Sequence, residues 1–141
     1  MTGRLLSPDL FVRAGISASL VVSGYIHADL YGNGYRYIHI IGPSFLLQAA
    51  ASFALALLVL AGPWSLRVAA AGLAVGALGA FVLSRTTGLF GFSEIGWEPA
   101  PQAALSVGAE VLTVVLCVAS LLVYRRQPLR HTPGAASRRT A

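Results

Sequence analysis

Four long apolar stretches alternate with short polar ones along this chain, near residues 11–30, 43–61, 66–84 and 102–124. Each is close to the roughly 20 residues that a helix needs to cross about 30 Å of hydrocarbon. Backbone amides inside lipid must be hydrogen-bonded within their own segment, so we expect these stretches to be helices. No stretch shows the period of two that a β-barrel requires. The pattern predicts an all-α fold, a four-transmembrane-helix bundle formed by residues 1–124.

Small and weakly polar residues recur every three or four positions on these helices, which marks the faces through which helices pack in lipid. The first helix has Gly15, Ser19, Ser23 and His27, and the fourth has Ser106, Glu110, Thr113, Cys117 and Ser120, an inward seam. The stripe also favours a retained first helix over a signal peptide, although Val22-Ser23-Gly24 resembles a cleavage site.

The third helix carries a GxxxG stripe, in which Gly72, Gly76, Ala80 and Ser84 fall four residues apart. In an apolar segment this pattern indicates a helix–helix contact. We expect the contact to be made within the chain. The alternative is a contact with another membrane protein, or with a second copy of the chain, through the Gly72/Gly76/Ala80 face.

Composition supports a membrane protein, because apolar residues make up 56% of the chain and charged residues only 11%, against about 25% charged in a typical soluble protein. The ten basic residues are all arginines at segment ends, which argues against a nucleic-acid surface and leaves the lipid bilayer as the first partner. Eight lie on the side of the chain termini: Arg4, Arg13, Arg67, Arg125, Arg126, Arg130, Arg138 and Arg139.

Only Arg36 and Arg85 lie on the other side. The positive-inside rule therefore predicts a multi-pass protein of the inner (plasma) membrane with both termini in the cytoplasm, an N-in/C-in topology. The loops at 31–42 and 86–101 would then face outward. Residues 125–141 are predicted to be a disordered basic cytoplasmic tail.

The most informative polar residue is Glu110, which the pattern places about 13 Å down the fourth helix. An ionisable group at that depth is costly unless it is paired, neutralised or hydrated. His27, Gln48 and Arg85 would reach the same half of the bundle. We expect a structural clasp in which Arg85 pairs with Glu110. The alternatives are a small-molecule or quinone pocket, a metal or haem site, and a proton or ion path.

Recognisable catalytic and metal-binding signatures are absent from the sequence. His27 and His39 are twelve residues apart across a loop, which matches no helical ligand pair. Cys117 is the single cysteine, so no CxxC pair exists. The chain has no phosphate-binding glycine loop and no GxSxG motif. We therefore predict neither catalytic residues nor metal ligands, and the sequence names no cofactor.

Two stretches carry a family resemblance: YIHADLY followed by YRYIHIIGPSFLLQ in the first loop region, and GLFGFSEIGWEP before the last helix. They resemble a set of uncharacterised short four-helix integral membrane proteins common in actinobacteria, over about residues 15–122. The resemblance implies a fold and a membrane location. The four-helix outline with a conspicuous first outer loop is also similar to DoxX-like proteins, some of which associate with quinone or thiol redox systems, but this chain has no clear DoxX motif.

Two functions follow from the sequence. The first is a non-catalytic accessory or subunit-type membrane protein whose outer loops dock a partner. The second is a redox-linked or small-ligand protein that binds quinone, haem or a metal at an outward-facing group of polar residues, His27, Gln48, Arg85 and Glu110.

Overall fold

A computed structural model of the protein describes residues 8–126, in which four long helices follow one another. They are α1 (Pro8–Gly32), α2 (Ile41–Ala61), α3 (Ser65–Arg85) and α4 (Gln102–Arg126). All four are long and apolar enough to cross a membrane, which confirms the predicted all-α class. The fourth helix continues through Arg125 and Arg126, which were predicted as tail. The rest of the predicted tail, residues 127–141, lies outside the described residues.

The helices form a closed four-helix arrangement, since α1 and α3 each pack against both α2 and α4. One end, here called the terminal end, holds the start of α1, the α2–α3 turn and the last residues of α4. The opposite end, the two-loop end, holds residues 33–40 and 86–101. Tyr35 of the first loop hydrogen-bonds to Glu94 of the second. The two loops therefore meet above the helices.

The entry into α2 requires glycine at one position for lack of space. A Cβ atom on Gly42 would lie 2.8 Å from the Tyr35 carbonyl oxygen and 2.9 Å from that of Arg36. Tyr35–Tyr37 form a short 3-10 helix that packs against the start of α2. This close approach fixes the first loop directly over the bundle, where Tyr35 can reach the second loop.

The apolar core occupies the half of the bundle nearer the terminal end. It consists of Ile16, Leu20, Ala56, Val59, Ala70 and Cys117. In the other half, α1 and α4 present polar side chains to each other. The predicted seam of α4 is confirmed, because all five of its residues from Ser106 to Ser120 are buried. On α1, Ser19, Ser23 and His27 are likewise buried.

The small-residue stripe of α3 is exposed at its two glycines, unlike the buried stripe residues of α1 and α4. Gly72 and Gly76 are exposed, and a Cβ atom on either would meet nothing within 4 Å. Ala80 is half-buried and Ser84 is buried. The expectation that the GxxxG motif packs within the chain is therefore wrong for both glycines. The spacing identified a small-residue face, but the face points away from the other three helices.

Gly24 and Gly76 offer a matched test of this packing. The Cβ of Gly24→Val would lie 3.1 Å from Ser52 Cβ and 3.3 Å from the Ala49 carbonyl oxygen, whereas that of Gly76→Val would meet nothing. Overpacking of this kind costs about 1–3 kcal/mol. We expect Gly24→Val to lower the unfolding free energy of the monomer in detergent by that amount and Gly76→Val to change it by less than about 0.5 kcal/mol. Equal losses would contradict the close α1–α2 contact.

Candidate functional site

Four side chains meet where α1 and α4 pack in the half nearer the two-loop end: Ser23 and His27 of α1, and Ser106 and Glu110 of α4. We call them the polar cluster. Ser106 Oγ donates a hydrogen bond to Glu110 Oε1 at 2.9 Å, and Ser23 Oγ donates to the same oxygen at 3.4 Å. His27 Nε2 lies 3.9 Å from that oxygen. Glu110 is only 2% exposed, so these neighbours take the place of water around its carboxyl group.

The orientation of the His27 ring follows from its other nitrogen. Nδ1 lies 2.9 Å from the backbone carbonyl oxygen of Ser23. A carbonyl oxygen can only accept, so Nδ1 carries a hydrogen and donates it. This bond, made to the residue one helical turn earlier, directs Nε2 across the helix interface toward Glu110. The local geometry of α1 thus places the imidazole beside the carboxyl group.

A second polar contact joins the same two helices one turn deeper. The hydroxyl groups of Ser19 and Thr113 lie 2.7 Å apart, and Thr113 also donates to the Ala109 carbonyl oxygen at 2.9 Å. Both residues are buried. Hydrogen bonds between helices of this kind are worth about 0.6 kcal/mol each on average in a membrane protein. The α1–α4 contact is therefore polar over two successive turns.

Aromatic rings cover the polar cluster on the side of the two-loop end. The ring of Phe45 lies 5.1 Å from that of His27, and Tyr35 stacks on Phe45 at 4.7 Å. Phe92 from the second loop contacts the edge of Tyr35 at 5.8 Å. Three elements thus contribute to one aromatic column above His27. Burial, together with the hydrogen bond to Glu94, raises the pKa of Tyr35, so its hydroxyl group remains protonated and donates.

Arg85 does not pair with Glu110, which corrects the expected clasp. Its guanidinium contacts Glu94 Oε2 at 3.0 Å and donates to the carbonyl oxygens of Gly96 at 2.8 Å and Glu98 at 2.5 Å. It also lies over the Phe81 ring at 3.6 Å from the centroid. Arg85 closes α3, and the loop that follows folds back to surround it. A carboxylate nine residues away along the chain therefore reaches Arg85, rather than the one on α4.

The four residues predicted for the site therefore do not form one cluster. His27 and Glu110 are in contact, Arg85 belongs to the second loop, and Gln48 is half-buried on α2. Within the described part of the chain, Gln48 makes no hydrogen bond to the other three. Ser23 and Ser106 were expected to be packing residues, whereas the structure shows that they also donate hydrogen bonds to Glu110. Their spacing of four residues from His27 and from Glu110 was the available signal.

A cluster of charged side chains at the terminal end was not predicted from the sequence. Asp9 Oδ2 pairs with Arg13 at 2.6 Å, and Asp9 Oδ1 pairs with Arg67 at 2.5 Å. Arg13 also donates to the Val59 and Gly62 carbonyl oxygens at 2.9 and 2.8 Å, so it ties α1 to the end of α2. These arginines were considered only as topology signals. The spacing of Asp9 and Arg13, four residues apart on one helix face, indicated the first pair.

Within residues 8–126, no three His, Cys, Asp or Glu side chains come together closely enough to hold a metal ion. Comparison with protein-family models, with curated proteins and with solved structures finds no match to this chain. The resemblance to actinobacterial four-helix proteins and to DoxX-like proteins therefore stays a prediction.

Double-mutant cycles test the pairing described above. Residues in contact show interaction free energies of about 0.5–3 kcal/mol, whereas independent sites add within about 0.5 kcal/mol. We expect coupling between His27→Ala and Glu110→Ala, and between Arg85→Ala and Glu94→Ala. The losses of unfolding free energy caused by Arg85→Ala and Glu110→Ala should add in the double variant, because these two side chains do not pair. Unfolding in detergent of the single and double variants gives the three interaction free energies. Strong coupling between Arg85 and Glu110 would contradict the observed pairing and support the clasp expected from the sequence.

Proposed function

We propose that this chain is a non-catalytic subunit or accessory protein of a membrane complex, whose two-loop end docks a partner membrane protein. We further propose that it is inserted in the plasma membrane with both termini in the cytoplasm. The distribution of arginine supports this orientation, with eight on the terminal side and two on the other. The docking end would then face outward.

The observation that carries the docking proposal is the second loop, residues 86–101, which we call the cap. Arg85 holds the cap from below through Glu94, Gly96 and Glu98. Tyr35 holds it from the first loop through Glu94. The Glu94 carboxylate and the backbone carbonyl oxygens of Gly96 and Glu98 are thus directed to these anchors.

Three large apolar side chains of the cap are exposed. Ile95 is 89% exposed, Phe90 67% and Trp97 58%. Exposed apolar groups gathered on one surface mark interaction sites, and tryptophan is enriched among the residues that dominate binding. Because the anchors already fix the loop, a partner would pay little of the ordering entropy that weakens binding to mobile loops. A pre-ordered apolar surface of this kind suits a partner with an apolar surface of its own.

A second candidate function is the binding of a small apolar ligand such as a quinone. A groove of about 430 Å³ lies between α1 and α4, lined by small residues that include Gly15, Ala18 and Gly108. Ser19 and Ala109 also line it, one turn from Ser23 and directly beside Glu110 in the chain. We rank this function second because the polar groups of the cluster are already bonded to each other. A visible spectrum and an organic extract of the purified protein distinguish the two functions.

The orientation is testable with topology reporters. A reporter that is active only outside the cytoplasm should be inactive when fused after Ala141 and active when inserted in the cap, for example after Gly91. The physical reason is the retention of arginine-rich ends on the cytoplasmic side. The converse fusion, with a reporter active only in the cytoplasm, provides the control. Reversed activities would place the cap in the cytoplasm and refute the N-in/C-in proposal.

Photo-crosslinking tests the docking surface directly. A photoreactive amino acid at Ile95, in cells, should give an adduct with one membrane protein of defined mass. The same probe at Leu57, which is 73% exposed on the side of α2, is the matched control and should give lipid adducts.

A probe at Phe90 should lose its protein adduct when Ile95→Glu is introduced, while the melting temperature stays unchanged because Ile95 is 89% exposed. If both Ile95 and Leu57 capture only lipid, the cap lies in the membrane interface, where aromatic side chains also accumulate. That result would refute the docking proposal.

A further inference from the structure

The contact between His27 and Glu110 plays no part in the proposed docking surface. The two residues are 9% and 2% exposed, and they lie on different helices within a membrane-spanning bundle. His27 Nδ1 is committed to the Ser23 carbonyl oxygen, so its Nε2 and Glu110 Oε1, 3.9 Å apart, face each other. These two atoms are the acid–base pair of the polar cluster.

The number of protons that this pair holds decides its net charge. With one proton, either Glu110 is a neutral carboxylic acid beside neutral His27, or a carboxylate faces an imidazolium. The net charge is zero in both arrangements. With no proton the pair is an anion, and with two protons it is a cation. Burying an uncompensated charge in a membrane interior costs several kcal/mol. The folded His27–Glu110 pair is therefore most stable when it holds one proton.

No other charged group in the described part of the chain stands beside the pair to change this preference. α2 has no ionisable residue between Ile41 and Ala61, and it presents Phe45 to the imidazole. On α3, Arg85 is paired with Glu94, which also accepts the hydrogen bond of Tyr35 from the first loop. On α1, Asp29 accepts a hydrogen bond from Asn33. α4 contributes only hydroxyl groups around Glu110, from Ser106 and, one turn deeper, Thr113.

We propose that His27 and Glu110 form a buried site for one proton, which moves between Glu110 Oε1 and His27 Nε2. In this transfer the O–H bond of the carboxylic acid breaks as the N–H bond of the imidazolium forms, and no other reactant is needed. The atoms must approach by about 1 Å to reach hydrogen-bond distance, or share one water molecule. The rings of Phe45 and Tyr35 separate the site from the two-loop end.

The site makes the packing of α1 on α4 depend on pH. In an unfolded chain, histidine and glutamate together hold one proton between about pH 4.3 and about pH 6.5. Above this range the unfolded chain releases a proton that the folded pair retains, so stability falls as pH rises. Below it the unfolded chain gains a second proton that the folded pair excludes, so stability falls as pH drops. The stability maximum therefore lies at mildly acid pH.

Thermal unfolding in detergent measures this dependence. We expect the melting temperature of the native chain to be highest near about pH 5.5 and to fall by about 4 °C or more at about pH 9. The double variant His27→Gln/Glu110→Gln removes the proton site but keeps polar groups of similar size, and its melting temperature should change less over the same range. His39 and the Asp9 group are present in both proteins and cancel in the comparison. Parallel profiles would overturn the proposal.

Spectroscopy of the native chain gives an independent test, in which the Glu110→Gln variant serves only to assign one band. Nitrogen-15 spectra of the histidine rings report the protonation of His27, with exposed His39 as the internal reference. Infrared spectra report protonated carboxyl groups, and the band missing from Glu110→Gln assigns Glu110. At neutral pH the two readings should sum to one proton. A neutral imidazole with a carboxylate, or an imidazolium with a carboxylic acid, would refute the single-proton site.

Discussion

One constraint shapes the bundle: a carboxyl group lies inside a membrane-spanning fold and must find all its polar partners there. Glu110 obtains them from two serine hydroxyl groups and one imidazole, and two of these three groups come from α1. Helices in lipid gain little from apolar contact alone, because lipid tails are as apolar as leucine. The polar contact therefore helps to hold α4 against α1. The small side chains of the α1 stripe allow the two backbones to approach closely enough to make it.

The two halves of the bundle consequently have different characters. Near the terminal end, an apolar core fills the interior, and the Asp9, Arg13 and Arg67 group closes its edge. Near the two-loop end, the interior also contains buried polar side chains, and aromatic rings cover them. The Asp9, Arg13 and Arg67 group lies at the terminal end and the Arg85–Glu94 pair at the two-loop end, and these ion pairs do not include Glu110. Among the residues that the structure describes, His27 is the one ionisable group paired with Glu110.

The aromatic column connects the polar cluster with the cap. Phe45 contacts His27 on one side and Tyr35 on the other, and the Tyr35 hydroxyl group bonds to Glu94 in the cap. The proposed docking surface and the proposed proton site are therefore only a few contacts apart. A partner that displaced the cap would alter the packing above His27, and with it the access of water to the buried pair. The proposed proton site and the proposed docking surface would then both lie toward the two-loop end of the molecule.

The sequence by itself determined the number of helices, their approximate bounds and the inward seam of α4, because lipid imposes length and apolarity on each segment independently of its neighbours. The depth of Glu110 followed from helical rise alone. Tertiary structure decided its partners, since the backbone path of the cap brings Glu94 to Arg85 and leaves His27 to Glu110. It also decided that Gly76 faces outward. Periodicity defines a face on a helix, but only the rotation of that helix within the bundle decides which neighbour, or none, the face meets.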